Sequence, residues 1–281
     1  MKKIKRFFLW FSFATIMLLL FLLWGSSSME EREDFSSLAA AFEQNNLSIE
    51  EYRYRLEGGE IYAVQVGDKT LPALLLIHGS PGDWTAWKQL ILSTNLTDRY
   101  RLIIPDRPGY QNSTVKGGNL STQSKALAVL MREYCHPCIV AGHSFGGALA
   151  LQLAVDYPEK VAAVVSISGT IAAPFQVPQW YNLLARDKWI EPFLSSGFKS
   201  SNQEMMSLSK DLSAIESKLK GLDQPFYLLQ GGKDVLVHPA SPFYLIKQLN
   251  QVHLKYYDTW DHFVIWTEIE AVAQFLLSLL K

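Results

Sequence analysis

Apolar runs alternate with amphipathic segments along most of the chain. Continuous apolar runs occupy residues 71–77, 102–104 and 138–141, and such runs are typical of strands buried on both faces of a sheet. Each run is followed by a segment with the spacing of an amphipathic helix. This alternation predicts an α/β fold with a mostly parallel central sheet and helices on both faces.

The same patterns place the remaining elements. Further strands are predicted at residues 52–55, 59–66, 161–168, 225–230 and 252–257. Helices are predicted at residues 84–92, 121–134, 148–157, 242–250 and 265–280. The spacing of the elements shows no repeat, so it favours one domain over an array of repeats.

One interval interrupts the alternation. Residues 169–223 contain no confident strand but several prolines and aromatic residues, followed by a polar helical stretch near 202–220. An insert at this point of an α/β fold lies at the carboxyl edge of the sheet, where such sheets bind ligands. We therefore predict a short helical lid at about 170–222. The alternative is a packed connection with no contact to substrate.

The N-terminal segment differs from the rest. Residues 7–24 carry no charge and follow a basic cluster, whereas residues 30–34 are mostly acidic. The apolar run is long enough for the roughly 30 Å hydrocarbon core of a bilayer. It predicts a transmembrane signal anchor at residues 1–24, a linker or spacer at 25–50 and a globular domain at 51–281. Because the basic cluster favours the cytoplasmic side, the domain is expected outside the cytoplasm on a single-pass anchor. A cleaved signal peptide is the alternative, with Ser26 to Ser28 as a poor cleavage site.

Composition narrows the classes of function. Of 281 residues, 48% are hydrophobic and 19% are charged, so the chain can bury a large core. The net charge is −1, and residues 1–24 carry basic side chains but no acidic ones. The body is mildly acidic, which gives no electrostatic basis for binding nucleic acid.

The sequence from Gly142 to Gly147 joins a buried strand to a helix and has the pattern G-x-S-x-G around Ser144. A nucleophile on such a sharp turn projects away from the sheet, and only glycine allows the neighbouring chain segments to pass that closely. The alternative is a glycine-rich turn with an incidental serine.

A serine nucleophile requires a base and a carboxylate that orients the base. Asp234 follows the strand predicted at 225–230, and His262 follows the strand at 252–257. Their order after Ser144 is the one expected for this elbow. His238 and His253 are weaker candidates for the base, because the first flanks the next helix and the second lies within a strand. Asp258 and Asp261 are weaker candidates for the carboxylate, because neighbours in sequence seldom point at one another's rings. His143 is expected to pack beside the elbow.

Five motifs in this order resemble those of the α/β-hydrolase superfamily, over residues 51–281. They are His78-Gly79-Ser80-Pro81-Gly82, Asp106-Arg107-Pro108-Gly109-Tyr110, residues 142–147, Gly231-Gly232-Lys233-Asp234 and Asp261-His262-Phe263. The resemblance implies that Ser144 is the nucleophile, His262 the general base and then acid, and Asp234 the orienting carboxylate. It also implies an oxyanion hole formed by the backbone N–H groups of Ser80 and Phe145. His78 and Arg107 are expected to brace the loop that carries Ser80.

Differences from known members of that superfamily narrow the range of reactions to be expected. A serine in place of a nucleophilic aspartate disfavours dehalogenase and epoxide hydrolase chemistry. Ser80 and Phe145 stand where prolyl aminopeptidases have Gly and Trp. We therefore expect hydrolysis of carboxylic esters, with no metal and no cofactor, acting on a small or lipid-like acyl substrate. The alternatives are an exported amidase or aminopeptidase, and a non-catalytic binding module of the same fold. The sequence makes no prediction of oligomeric state.

The sequence leaves two alternatives for the role of each of two further groups of residues. Trp260, Trp180 and Tyr181 either line the substrate pocket or belong to the core. Cys135 and Cys138 form a C-x-x-C, and in an exported protein they are expected to form a structural disulfide. A thioredoxin-like redox site is disfavoured because a helix precedes the motif, although a redox switch on the following strand is a second possibility.

Overall fold

The computed structural model describes residues 35–280, and its central feature is one eight-stranded sheet. The strands are β1 (Ile49–Leu56), β2 (Gly59–Val66), β3 (Ala73–Ile77), β4 (Arg101–Pro105), β5 (Cys138–His143), β6 (Val161–Ile167), β7 (Phe226–Gly231) and β8 (Val252–Tyr257). Their order in the sheet is β1-β2-β4-β3-β5-β6-β7-β8. β2 pairs antiparallel with β1 and β4, and the other strands pair in parallel, so the predicted mostly parallel sheet is confirmed.

Helices cover both faces of the sheet. They are α1 (Phe35–Gln44), α2 (Lys88–Leu92), α3 (Leu120–Tyr134), α4 (Phe145–Asp156), α5 (Trp180–Leu184), α6 (Ser196–Leu219), α7 (Ser241–Leu245), α8 (Val264–Thr267) and α9 (Ile269–Leu277). Three predicted helices are divided, and the one expected at 242–250 continues past α7 as a 3-10 turn, Ile246–Gln248. The helix expected at 84–92 begins as a 3-10 turn, Trp84–Trp87, capped by the Asp83 side chain, and the C-terminal helix is broken between Thr267 and Ile269.

Alternate residues of the parallel strands contribute to two apolar cores. Leu75 and Val140 pack with α3, α4 and α6 on one face. Leu74 and Ile139 pack with α2 and α9 on the other. Because successive side chains of a strand point to opposite faces, strands covered on both sides must be apolar throughout, which is the pattern seen in the sequence.

The segment between β6 and β7 contains the predicted lid helices, α5 and α6. One face of α6 carries Leu208, Leu212, Ile215 and Leu219, all buried, and this stripe packs against the core beside α3 and α4. The N-terminal half of α6 lies over the carboxyl edge of the sheet, where its residues line a cavity. The carboxyl half therefore anchors the segment, and the N-terminal half forms the roof of the site.

The predicted signal anchor, residues 1–24, and the first part of the predicted linker lie outside the described residues. Within residues 35–280, none of the helices has the length and apolar character needed to cross a membrane. α1 lies within the predicted linker or spacer and packs on the domain through Leu38 and Phe42. β1 begins at Ile49, just before the expected domain boundary at residue 51.

Candidate active site

Ser144 lies on a tight turn between β5 and α4. Its backbone adopts φ 54° and ψ −120°, a conformation that is strained for a residue with a side chain. A Cβ on Gly142 would lie 2.0 Å from the carbonyl oxygen of Gly146, and a Cβ on Gly146 would lie 2.3 Å from that of Ile77. Both glycines are therefore required by the close approach of the backbone.

Main-chain hydrogen bonds hold the turn from both sides. The Ser144 N–H donates to Ile167 O at 3.0 Å, and Ser144 O accepts from the N–H groups of Gly147 at 3.0 Å and Thr170 at 3.1 Å. The turn is thus fixed against β6 and the start of the lid segment, which balances the strained conformation of Ser144.

Asp234 and His262 meet at the same edge of the sheet as Ser144. Asp234 follows β7, and His262 follows β8, and the carboxyl ends of these parallel strands coincide with that of β5. His262 Nδ1 lies 2.9 Å from Asp234 Oδ2, and both side chains are buried. His262 and Ser144 line the same two cavities.

The surroundings of Asp234 favour its charged form. Burial alone would raise the pKa of its carboxyl, but hydrogen bonds from His262 and from the Val237 and Leu236 N–H groups outweigh burial and lower the pKa. These two N–H groups donate to Oδ1 at 2.8 and 3.0 Å, and Gln230 Nε2 donates to Oδ2 at 3.1 Å. A fixed carboxylate at Nδ1 holds the proton on that nitrogen and leaves His262 Nε2 free to accept one.

The other histidines have different partners. His143 Nε2 donates to the carbonyl of His262 at 2.9 Å, and burial together with the nearby His262 lowers the pKa of His143 to about 3. His143 is therefore a neutral brace beneath the His262 loop. His238 stacks on Phe175, with the ring centroids 4.3 Å apart. His253 is exposed on the edge strand β8 and stacks on Tyr227, with the ring centroids 4.9 Å apart.

The loop of residues 78–82 passes directly over Ser144. A Cβ on Gly79 would lie 3.1 Å from Ser144 Cβ, and Ser80 lines both cavities beside the serine. On the other side, Phe145 is the first residue of α4, where backbone N–H groups have no partner within the helix. The expected pair of oxyanion donors thus flanks the serine.

Arg107 and Glu204 form a fully buried ion pair behind this loop. Arg107 Nη1 lies 2.6 Å from Glu204 Oε1, and neither side chain is exposed to solvent. The sequence suggested a bracing role for Arg107 but gave Glu204 no role beyond a polar helical stretch. The signal that could have identified Glu204 is its position one turn before Leu208, since an acid on the apolar face of a helix requires a buried partner.

Two cavities adjoin Ser144. One, of about 300 Å³, lies under the lid, and the other, of about 490 Å³, lies beside the loop of residues 78–82. The lid-side cavity combines neutral polar groups with apolar ones. Its polar lining includes Ser80, Thr170, Gln176, Gln179, Asn182 and Asn202. Ser144 and His262 lie where the two cavities meet, so a bound molecule can extend to both sides of the hydroxyl.

The three aromatic candidates differ in position. Tyr181 lines the lid-side cavity. Trp180 is 63% exposed and contacts Tyr181 from outside, and it does not line either cavity. Trp260 belongs to the core, where its ring stacks on Tyr257 at 3.6 Å. Of the three, Tyr181 alone lines either of these two cavities, and the substrate contacts expected for the three residues stay predictions.

A disulfide joins Cys135 to Cys138. It links the end of α3 to the first residue of the strand that carries the elbow. The structure thus contains the expected pairing. In residues 35–280, no group of three or more His, Cys, Asp or Glu side chains is arranged to hold a metal ion.

Comparisons with known proteins agree with this fold. Residues 72–194 match the family model described as the alpha/beta hydrolase fold. A carboxylesterase from Bacillus subtilis superposes with a TM-score of 0.62 at 18% identity, covering 87% of this chain and 95% of the esterase. A membrane phospholipase A superposes with a TM-score of 0.66 at 19% identity, covering 98% and 97%. The resemblance to the α/β-hydrolase superfamily is thus confirmed over residues 72–194, and the solved structures share the fold of the described domain.

Curated relatives are similar over a shorter region. The pimeloyl-[acyl-carrier protein] methyl ester esterase of Aeromonas hydrophila is 30% identical over 132 residues, 45% of this chain and 46% of that protein. The magnesium-chelatase 30 kDa subunit of Rhodobacter capsulatus is 36% identical over 115 residues, 39% of each chain. The matched region spans less than half the length of these relatives, and their names cover different activities.

Proposed function

We propose that this protein is a serine hydrolase that cleaves carboxylic esters through an acyl-enzyme on Ser144. The observation that carries the proposal is the buried His262–Asp234 pair, at 2.9 Å, facing the same cavities as a serine on a strained, glycine-flanked turn. A strained backbone and a buried carboxylate both cost stability, and they are typical of sites where geometry serves a reaction.

The mechanism follows from these positions. His262 Nε2 removes the proton from Ser144 Oγ as the oxygen attacks the ester carbonyl carbon. The negative charge that develops on the carbonyl oxygen is stabilised by the N–H groups of Ser80 and Phe145. His262 then gives its proton to the departing alcohol. Water, deprotonated by His262, attacks the acyl-enzyme, and His262 returns that proton to Ser144 Oγ as the bond to the serine breaks and the acid leaves.

The lining of the cavities favours esters over aminopeptidase substrates. An aminopeptidase needs a carboxylate that receives the ammonium group of its substrate. Among the described residues, none that lines the lid-side cavity is acidic. Asp83 lines the second cavity, but its Oδ1 already accepts from the N–H and hydroxyl of Thr85. Glu204 is paired with Arg107.

The mouth of the site favours an apolar acyl group. Val177 and Leu236 line the lid-side cavity and are 66% and 64% exposed, and Phe263, 48% exposed, lines the second cavity. Exposed apolar side chains around an opening mark a surface that contacts apolar ligands. These side chains support a substrate with an apolar acyl group, either a small one or a lipid-like one.

We also propose that residues 1–24 form a single-pass signal anchor that holds the catalytic domain outside the cytoplasm. The support is the uncharged run of residues 7–24 behind a basic cluster. Protease treatment of intact cells carrying a C-terminal tag tests this. Loss of the tag only with external protease agrees with the proposal, and protection of the tag contradicts it.

The test of catalysis is labelling of the detergent-solubilised full chain with a fluorophosphonate probe. We expect labelling of the wild type and none of Ser144→Ala or His262→Ala, with turnover of p-nitrophenyl esters reduced by about 10⁴-fold or more. Aminoacyl amides serve as the competing substrates. A folded wild type that is neither labelled nor active on esters would instead support a binding module.

A further inference from the structure

The loop over Ser144 and the lid share one buried cluster of polar groups. Glu204, on α6, is paired through Oε1 with Arg107, and its Oε2 accepts from Ser80 Oγ at 2.5 Å and from Tyr110 OH at 2.7 Å. Gln123 Nε2 also donates to Oε1 at 2.7 Å. A buried charge is tolerated only when it is paired and hydrogen-bonded, so removing one member leaves the others uncompensated.

The same cluster holds the peptide between Gly79 and Ser80. Its carbonyl oxygen, on Gly79, accepts from Arg107 Nη2 at 2.8 Å and from His78 Nδ1 at 2.8 Å. The peptide is planar and its N–H points opposite to its C=O, so fixing the Gly79 oxygen also fixes the direction of the Ser80 N–H. Two donors on the carbonyl also polarise that N–H towards stronger donation.

The Ser80 side chain is held from the lid. Its hydroxyl contacts Glu204 and also Ser201 Oγ at 2.9 Å, and both residues lie on α6. Ser80 is therefore fixed at two points: its preceding carbonyl by Arg107, and its side chain by the helix that carries Glu204. Arg107 itself is held in place by the Glu204 carboxylate, so both points depend on one lid residue.

We propose that Glu204 is a positioning residue that makes the oxyanion hole depend on the docked lid helix. It acts through Arg107 and Ser80 and does not touch the reacting atoms. Ser201, Asn202 and Met205 of the same helix line the lid-side cavity, so the wall that contacts the substrate also sets the Ser80 N–H. This inference rests on the proposed role of Ser80 as an oxyanion donor.

The first test compares two carboxyl-to-amide changes on α6. Glu204→Gln keeps the shape but removes the charge that holds Arg107. Asp211→Asn is the matched control, because Asp211 accepts from the Leu120 N–H and Ser207 Oγ and attaches α6 without contacting the loop. We expect kcat for a p-nitrophenyl ester to fall about 10- to 100-fold in the first variant, with KM changed less than about threefold. For Asp211→Asn, kcat and KM should each stay within about threefold of the wild-type values.

Ser80→Ala is the milder variant. It removes the bonds to Glu204 and Ser201 but retains the backbone N–H and the buried ion pair, so it should fold even if Glu204→Gln does not. We expect a smaller loss of kcat, about three- to tenfold, again with little change in KM. Unchanged kcat in Ser80→Ala and Glu204→Gln, or equal losses in Glu204→Gln and Asp211→Asn, would reduce Glu204 to a structural residue.

Amide hydrogen exchange separates this inference from the proposed reaction. In the full chain, Glu204→Gln should increase exchange in peptides covering residues 76–84 and 103–112, and Asp211→Asn should not. If the wild type hydrolyses no ester but this difference in exchange is found, the proposed function fails while the coupling of lid and loop stands. If the esterase is active and exchange in the loop is unchanged by Glu204→Gln, the coupling is wrong.

Discussion

The two walls of the site are built differently. On the sheet side, Ser144 and its flanking glycines are fixed by backbone atoms that leave no room for a Cβ. On the lid side, much of the surface is loosely packed. Six large apolar side chains there are about half or more exposed, namely Val177, Trp180, Tyr181, Leu183, Trp189 and Phe193. With the roles proposed above, the sheet side carries the reacting groups, and the exposed part of the lid, residues 177–193, is free to determine what is bound.

The largest expected difference between the two walls is in catalysis. Asp234→Asn should lower kcat by about 10³- to 10⁴-fold, because an amide at this position stabilises the wrong tautomer of His262. Tyr181→Ala, on the lid wall, should change mainly KM, by less than about tenfold. Steady-state kinetics on one ester series measures both. A dominant kcat effect at Tyr181 would mean that the exposed part of the lid also takes part in the chemistry.

The same residue change should have opposite effects on stability in the two regions. Gly146→Ala places a methyl group 2.3 Å from Ile77 O and should cost about 3 kcal/mol or more. Gly197→Ala, in α6, meets no atom closer than Tyr110 Cδ1 at 3.9 Å and should gain up to about 1 kcal/mol from helix propensity. Urea unfolding of both variants provides the comparison. A mild effect at Gly146 would show that the elbow can relax.

Lowering the pH should reduce the stability of the folded protein through His143, which is buried beside the elbow on the sheet side. An unfolded histidine takes up a proton near pH 6.5, whereas burial holds the pKa of His143 at about 3. Between these values the unfolded state binds the extra proton, so stability falls as pH falls. Between pH 7 and 5.5, His143 should account for about 1 kcal/mol of that loss.

His143→Asn should remove this part of the pH dependence. His78, which burial also keeps neutral by lowering its pKa, remains in the variant and provides a residual slope. Urea unfolding at pH 7 and 5.5 compares the two proteins. Parallel loss of stability in both would show that His143 is protonated in the folded protein.

The smallest effect is expected on the outer surface of the lid. Trp189 is 75% exposed, so Trp189→Ala should change the free energy of unfolding by no more than about 0.5 kcal/mol. Thermal and urea unfolding measure it. A loss above about 1 kcal/mol would contradict the description of this wall as loosely packed.

Much of the fold could be predicted from the sequence because the parallel strands are buried on both faces. Their continuous apolar runs are visible without any structure, and each of the eight strands overlaps its predicted range. The positions of Ser144, Asp234 and His262 at strand ends follow from the same patterns, since carboxyl ends of parallel strands share one edge. The sequence does not contain the strand order, in which β4 lies between β2 and β3.

Contacts that depend on distant segments could not be predicted. Arg107 and Glu204 are separated by 97 positions, and nothing local to Glu204 names its partner. Trp260 shows the same limit in another form. An aromatic residue beside a strand end fits a pocket or a core equally well, and its place among buried residues, stacked on Tyr257, is visible only in the structure.

The order of the strands along the chain has a consequence for biosynthesis. The strand that carries Ser144 is completed well before the ribosome reaches β7 and β8, the two strands that deliver Asp234 and His262. With the roles proposed above, the serine has no base to activate it until the final strands join the edge of the sheet. A nascent chain would therefore leave the ribosome as an inert polypeptide, and would acquire reactivity only after its last segment had folded.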